Sequence, residues 1–255
     1  MGRLDGKVCV ITGAAGGQGK VCVERFSEEG ARILASDLAA DAAEALRAKC
    51  KIADDFHYIA GDVTQESTLQ AIVDGAVNKF GRIDVLFNNH GAMVGSPFLE
   101  HTMEELDLVL NVNVRATFRL TQLVAQQMVN QGNGGSIINN SSTGGLIGFP
   151  DMSGYGMSKA GVAQLARSLA NDLKEYKIRV NAICPGAIDT PMPHKYLEKF
   201  ADKKMEIWRA MEEAHLVGRL GEPEEVINLV IFLASDESTF MNGAVIPVDG
   251  GYTAV

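Results

Sequence analysis

Four glycines fall within the seven residues from Gly13 to Gly19, and nothing else in the chain restricts its fold as much. The turn reads Thr12-Gly13-Ala14-Ala15-Gly16-Gly17-Gln18-Gly19. An apolar run, Val8-Cys9-Val10-Ile11, leads into it, and a helical pattern from Lys20 to Glu29 leads out. Strand, glycine turn and helix in that order make an anion seat. The first N–H groups of the helix have no carbonyl partners, and glycine lets a phosphate approach the backbone. Gly13, Gly17, Gln18 and Gly19 are thus the expected neighbours of a pyrophosphate. A second short run, Ala31 to Ser36, ends at Asp37, 20 residues beyond Gly17. An acidic residue at that distance is placed to accept from the hydroxyls of an adenosine ribose. The pattern asks for a dinucleotide.

Beyond the turn, apolar strand-like runs alternate with amphipathic helical patterns, the mark of a parallel sheet with crossover helices. Strands are expected near 7–12, 31–36, 56–60, 83–88, 135–141, 178–183 and 244–248, and helices near 17–30, 40–50, 66–80, 102–130, 153–176, 193–214 and 222–235. No repeat, low-complexity stretch or linker interrupts the 255 residues, so one domain spanning 1–255 is expected. A net charge of -9 argues against nucleic acid, whose binding needs clustered lysine and arginine. No apolar stretch approaches the roughly 20 residues that span a bilayer, and no signal peptide is visible. Cys9, Cys22, Cys50 and Cys184 form no C-x-x-C pair and have no histidine cluster nearby, so no metal site is expected. The reading is a reduced, cytoplasmic protein.

Chemistry enters at Tyr155-Gly156-Met157-Ser158-Lys159, with Ser142 thirteen residues upstream. On a helix the i,i+4 spacing puts phenol and ammonium on one face. A tyrosine is a poor base near neutrality, its ordinary pKa being about 10. A neighbouring ammonium favours the phenolate, which makes Tyr155 a usable proton acceptor.

Taken together these motifs resemble the short-chain dehydrogenase/reductase family over essentially the whole chain. The resemblance rests on the glycine turn at Thr12 to Gly19, Asp62-Val63, Asn88-Asn89-His90-Gly91 and Asn113. It continues through Ser142, Tyr155 and Lys159 to Pro185-Gly186 with Thr190, and ends at Val248-Asp249-Gly250-Gly251. It implies a doubly wound, seven-stranded parallel Rossmann sheet, helices on both faces, order 3-2-1-4-5-6-7. It also implies roles. Tyr155 is the general acid/base, and Lys159 tunes it and bonds the nicotinamide ribose. Ser142 steadies the substrate oxygen, and Asn113 holds a water joining Lys159 to solvent. Asn111 and Ser141 are the neighbouring rivals. Asp62 and Val63 would bracket the adenine, Asn88 would hold the adjoining strand and turn, and Pro185, Gly186, Ile188 and Thr190 would meet the carboxamide end. Asp37, with no basic residue at Ala14, Ala15 or Gly16, implies NAD rather than NADP. A homotetramer paired through the helices near 102–130 and 153–176 is implied too.

Three positions depart from the family pattern: Gln18 for the usual isoleucine or leucine, His90 for alanine, and Ala116 for glycine. Between Ile188 and Gly218 the regular alternation breaks down. That segment is either an amphipathic helix pair packed on the body or a lid over the substrate. Met93, Val94, Leu146, Phe149, Met152, Met192 and Trp208 are the candidate pocket lining, apolar and adaptable. His194, Lys195, Lys199, Lys203 and Lys204 could meet a carboxylate at its mouth. The combination is similar to bacterial hydroxysteroid dehydrogenases acting on bile acids. A polyol or other cyclic alcohol is the alternative; Asp37 disfavours a 3-oxoacyl reductase. A cofactor-binding protein without chemistry would be expected to lack Ser142, Tyr155 or Lys159, and all three are present.

Overall fold

The computed structural model describes residues 2–255, apart from the side chains of Lys199 and Ala201, so the expectation for Lys199 lies outside the described residues. Seven parallel strands form one sheet in the order β3-β2-β1-β4-β5-β6-β7, as the resemblance implied. They are β1 (Val8–Thr12), β2 (Arg32–Asp37), β3 (Phe56–Ala60), β4 (Val85–Asn88), β5 (Gly135–Asn140), β6 (Ile178–Pro185) and β7 (Val245–Val248). Every residue of β1 and β4 is buried, the pattern of central strands covered on both faces. On one face, Phe26 and Val23 of α1 (Gly17–Glu28) and Val230 and Ile231 of α9 (Pro223–Ala234) pack with Cys9 and Ile33 of the sheet. The other face packs Ile72 of α3 (Glu66–Phe80), Leu120 and Val124 of α5 (Thr117–Gln131), and Ala166 of α6 (Ser153–Asp172) on Val10, Leu86 and Ile137. The shorter α2 (Ala43–Arg47) completes the β2–β3 crossover.

Two expected helices are broken. The one near 102–130 is α4 (Met103–Val109), a π-helical turn (Leu110–Ala116) and α5. α4 starts in a capping box between Thr102 and Glu105. The π turn carries one residue too many per turn and rotates the helix beyond it, a feature that periodicity does not announce. The one near 193–214 divides into α7 (Pro191–Leu197), a 3-10 stretch and α8 (Lys204–Ala214), kinked where Phe200 leaves helical geometry at φ -121° and ψ 45°.

The glycine turn obeys its steric logic. Gly13 has φ 61°, which a side chain resists, and a Cβ at Gly19 would lie 2.1 Å from the Gly13 carbonyl oxygen. The N-cap of α1, Gly16, offers no side-chain bond and the first turn holds no acidic residue, so no side chain neutralises the positive end of the helix. Among the described residues no helix is long and apolar enough to cross a membrane, and no group of three or more His, Cys, Asp or Glu could hold a metal ion.

Candidate active site

Parallel strands deliver their carboxyl ends to one edge, and the candidate residues gather there. Asp37 ends β2, Asn88 ends β4, Asn140 ends β5 and Pro185 ends β6. The Asp37 carboxylate accepts from Ala15 N–H at 2.9 Å and Ala39 N–H at 3.2 Å, so it braces the glycine turn it faces. Leu38 beside it is 73 % exposed. Asp62 is exposed and accepts from Thr64 N–H at 2.9 Å, whereas Val63 is buried.

The loop from Pro185 to Thr190 meets the other end of the turn. Gly186 N–H donates to Val248 O at 3.1 Å, and Ile188 is buried with a bridge to Gly221. A Cβ at Gly17 would lie 2.6 Å from Thr190, so the two elements close directly on each other. Ala187 N–H donates to His215 Nε2 at 3.1 Å, and His215 Nδ1 bonds Met211 O at 2.6 Å. His215 therefore ties this loop to α8, a link that sequence reading missed because the two lie 28 residues apart.

Asn88 reaches the adjoining strand, as expected of it, but not the glycine turn. Its Nδ2 donates to Thr121 Oγ1 and to Asn139 Oδ1, both at 2.9 Å, which joins β4 to β5 and α5. Asn89 holds the glycine turn instead, through Nδ2 to Gly13 O at 3.0 Å. Alternation explains it: adjacent residues leave a strand on opposite faces. Asn140, also missed, donates to Asn89 Oδ1 at 2.9 Å and to Gln18 Oε1 at 3.0 Å. Gln18 thereby reaches the end of β5, where the usual aliphatic residue could make no such bond.

Tyr155 and Lys159 share a face of α6, and Lys159 Nζ lies 5.9 Å from the phenol ring centroid. Lys159 donates to Asn140 O at 2.8 Å, and burial lowers its pKa to about 8. Burial pushes the Tyr155 phenol above its ordinary value, while a hydrogen bond with Ser142 pulls it down. What opposes burial at the phenol is Ser142 rather than the ammonium. Ser142 also accepts from Gly144 N–H at 3.1 Å. Its rival Ser141 is buried and donates to Lys159 O at 2.7 Å, latching β5 to α6. In the π turn, Asn111 is exposed and Asn113 buried. The Asn113 amide accepts from Ala92 N–H at 2.7 Å and donates to Ala92 O and Ser158 Oγ, each at 2.9 Å.

His90 is buried, with Nδ1 2.7 Å from Thr12 Oγ1 and Nε2 3.2 Å from Thr117 Oγ1. Each ring nitrogen lies against a threonine hydroxyl. Burial, reinforced by Lys159, lowers its pKa to about 3, against a bond to the Val112 carbonyl that raises it. The unfolded chain protonates this ring near the ordinary 6.5, so between there and about 3 the unfolded state binds the extra proton. His90's contribution is therefore complete above about pH 6.5 and drains away as pH falls toward about 3. Urea midpoints should decline more steeply across that window in the wild-type protein than in His90→Gln. Parallel declines would refute the assignment.

The expected pocket residues do not all converge. Phe149 packs where a Cβ on Gly144 would be 3.2 Å away, beside Tyr155, and edges onto Tyr252 at 5.5 Å. Met152 Cε and the Tyr196 ring crowd Gly95, within 3.1 and 2.8 Å of a Cβ there. Met93 and Val94 are half-buried on the same loop; Leu146 and Met192 are 38 % and 45 % exposed at its rim. Trp208 stacks on His194 at 4.6 Å and donates to Glu212 at 3.0 Å, so one ring face is occupied inside the segment. His194 itself bonds Asp189 at 2.8 Å. The packing of Tyr196 against Gly95 is visible only in three dimensions.

Residues 13–253 match a family model described as enoyl-(acyl carrier protein) reductase. The chain is 40% identical over 250 residues to 3-oxoacyl-acyl-carrier-protein reductase FabG of Thermotoga maritima, covering 98% of both chains. It is 35% identical to cyclopentanol dehydrogenase of a Comamonas species, covering 100% of each. The crystal structure of levodione reductase superposes with a TM-score of 0.93 at 32% identity, covering 99% of each chain.

Proposed function

The chain belongs to the short-chain dehydrogenase/reductase family and is an NAD(P)-dependent oxidoreductase acting on secondary alcohols and ketones, and we propose that its substrate is a compact cyclic alcohol oxidised with NAD. The observation that carries the substrate class is Tyr196 of α7 pressed onto Gly95 and Met152, which puts an apolar roof low over the loop leading away from Lys159. A compact ring suits that space better than the bulky hydroxysteroid that the lining residues first suggest. Full-length likeness to a cyclopentanol dehydrogenase supports the same choice. The segment 188–218 acts as the lid, and its methionines allow it to repack around different rings.

In this reading Tyr155 takes the hydroxyl proton as hydride leaves the same carbon. Ser142 holds the substrate oxygen and the phenol together, and buried Lys159 relays the proton toward Asn113. When bound, the dinucleotide accepts the hydride. Gly13, Gly17, Gln18 and Gly19 with the open start of α1 suit its pyrophosphate, Asp37 its adenosine ribose, Asp62 and Val63 its adenine, and Ile188 with Thr190 its carboxamide end. A 3-oxoacyl thioester is the second reading, favoured by the 40% identity to the Thermotoga enzyme. Initial rates with NAD and cyclopentanol, cyclohexanol, a polyol and hydroxylated bile acids, and with NADH and a 3-oxoacyl thioester, separate the cases. A kcat/KM for bile acid or thioester above every cyclic alcohol would sink the proposal.

We also propose a homotetramer. Among the apolar positions of the helices near 102–130 and 153–176, Leu120, Val124 and Val162 are buried in this chain's own core. The apolar side chains left exposed on these helices include Met103 and Leu108 of α4, Phe118 at the start of α5 and Met157 of α6, with the fully exposed Phe240 near the C-terminus. Light scattering at micromolar concentration should give about four times the 27.3 kDa chain mass. A monomer mass would end the idea.

A further inference from the structure

We propose that His90 is a positioning residue for proton transfer, closing a two-way clasp between the loop after β4 and the π-helical turn and so fixing where Gly91 and Asn113 meet Lys159. The inference rests on the reading of Tyr155 and Lys159 as the proton-transfer pair.

The clasp is reciprocal. From the loop, the His90 ring reaches to Thr117 Oγ1 at 3.2 Å and to the Val112 carbonyl. From the turn, the Asn113 amide reaches back to both backbone groups of Ala92. Between His90 and Ala92 lies Gly91, whose Cβ, if it had one, would be 3.3 Å from Lys159 Nζ and 3.5 Å from Asn113 Oδ1. Lys159 thus packs against the one residue that both halves of the clasp enclose. A π turn supplies the reason for such a clasp. Such turns are rare inside helices, so contacts from outside the helix help to hold one in place.

The ring's hydrogen-bond pattern is set by counting. Thr12 Oγ1 accepts from Asn89 N–H at 3.2 Å and His90 N–H at 3.4 Å, which fills its two lone pairs. Its own hydrogen then goes to His90 Nδ1 at 2.7 Å in preference to Phe87 O at 3.4 Å. A neutral ring that accepts at Nδ1 carries its proton on Nε2, facing Thr117. His90 consequently links Thr12, at the mouth of the glycine turn, to the turn bearing Asn113. An alanine there could make neither bond.

Two variants of the full chain test this. His90→Ala should lower kcat about tenfold while KM for NAD and the dissociation constant for NADH stay within about twofold, because an alignment rather than a binding contact is lost. His90→Gln, whose amide can donate to Thr117 and Val112, should recover at least half of the lost kcat. Nitrogen-15 NMR of the imidazoles at pH 7 should show a neutral ring protonated at Nε2, a signal absent from His90→Gln. A kcat for His90→Ala within twofold of wild type overturns the proposal. So does a loss that His90→Gln leaves unrestored, or one matched by loss of NADH affinity. If the wild-type enzyme oxidises no alcohol of the panel, the functional reading fails separately. NADH affinity and the ring signal then judge the clasp alone, and a ring protonated at Nδ1 overturns it.

Discussion

Tyr155→Phe is expected to lower kcat by about a hundred- to ten-thousandfold, the range that a positioned acid/base contributes, with NADH affinity within about twofold of wild type. Only one oxygen is removed, and it is the atom whose titration both Ser142 and burial shape. The ring stays, so its packing beside Gly144, 3.4 Å from a Cβ there, is kept. Because burial holds the phenol above its ordinary value, the wild-type oxidation rate should climb with pH through the alkaline range. The variant's residual rate should not. Ser142→Ala should move the wild-type rise to higher pH still, since it removes the hydrogen bond that pulls the phenol down. Stopped-flow hydride transfer and NADH fluorescence titration measure both quantities. Retention of activity within tenfold would remove Tyr155 from the chemistry.

Asp37→Asn is expected to shift the ratio of kcat/KM for NAD over NADP by about a hundredfold toward NADP. A like-charge pair near a protein surface costs roughly 1 to 4 kcal/mol, and each 1.4 kcal/mol is about tenfold. Asparagine rather than alanine isolates the charge. The Asp37 carboxylate also accepts from Ala15 and Ala39 N–H, and an amide oxygen can keep one of those bonds. Asp37→Ala removes both braces, so it should relax the preference and weaken NAD binding as well. Steady-state kinetics with both cofactors distinguish the effects. Comparable efficiency with NAD and NADP in the unmodified enzyme would refute the role of Asp37.

Much of this site could be read from the chain because its determinants are local. Gly13 and Gly19 are demanded by a turn whose atoms belong to neighbouring residues. Asp37 closes the next strand, and Tyr155 and Lys159 are one helical turn apart. Alternating apolar runs gave the seven strands, and the family likeness their order. Motifs of this kind survive in one dimension because each constrains only a few consecutive residues. Yet the same periodicity marks Leu120, Val124 and Val162 only as apolar, and it is the fold that buries them in the chain's own core. Periodicity marks which face of a helix is apolar and is silent on what covers it.

What folding alone decided are the contacts between residues far apart in the sequence. That Asn89 rather than Asn88 grips the glycine turn depends on the pleat at the end of β4. That helix 102–130 opens into a π turn reflects packing on α6 and on the loop after β4, because local propensity barely separates α from π. His90 bridges Thr12 and Thr117, Asn140 joins Gln18 to Asn89, and Tyr196 settles over Gly95 across about a hundred residues. A side chain's type fixes what bonds it can make, and these three could each have been satisfied by water. The sheet's parallel register brings their partners to one edge, where the cost of an unpaired buried polar group holds the His90 and Asn140 bonds and close packing holds Tyr196.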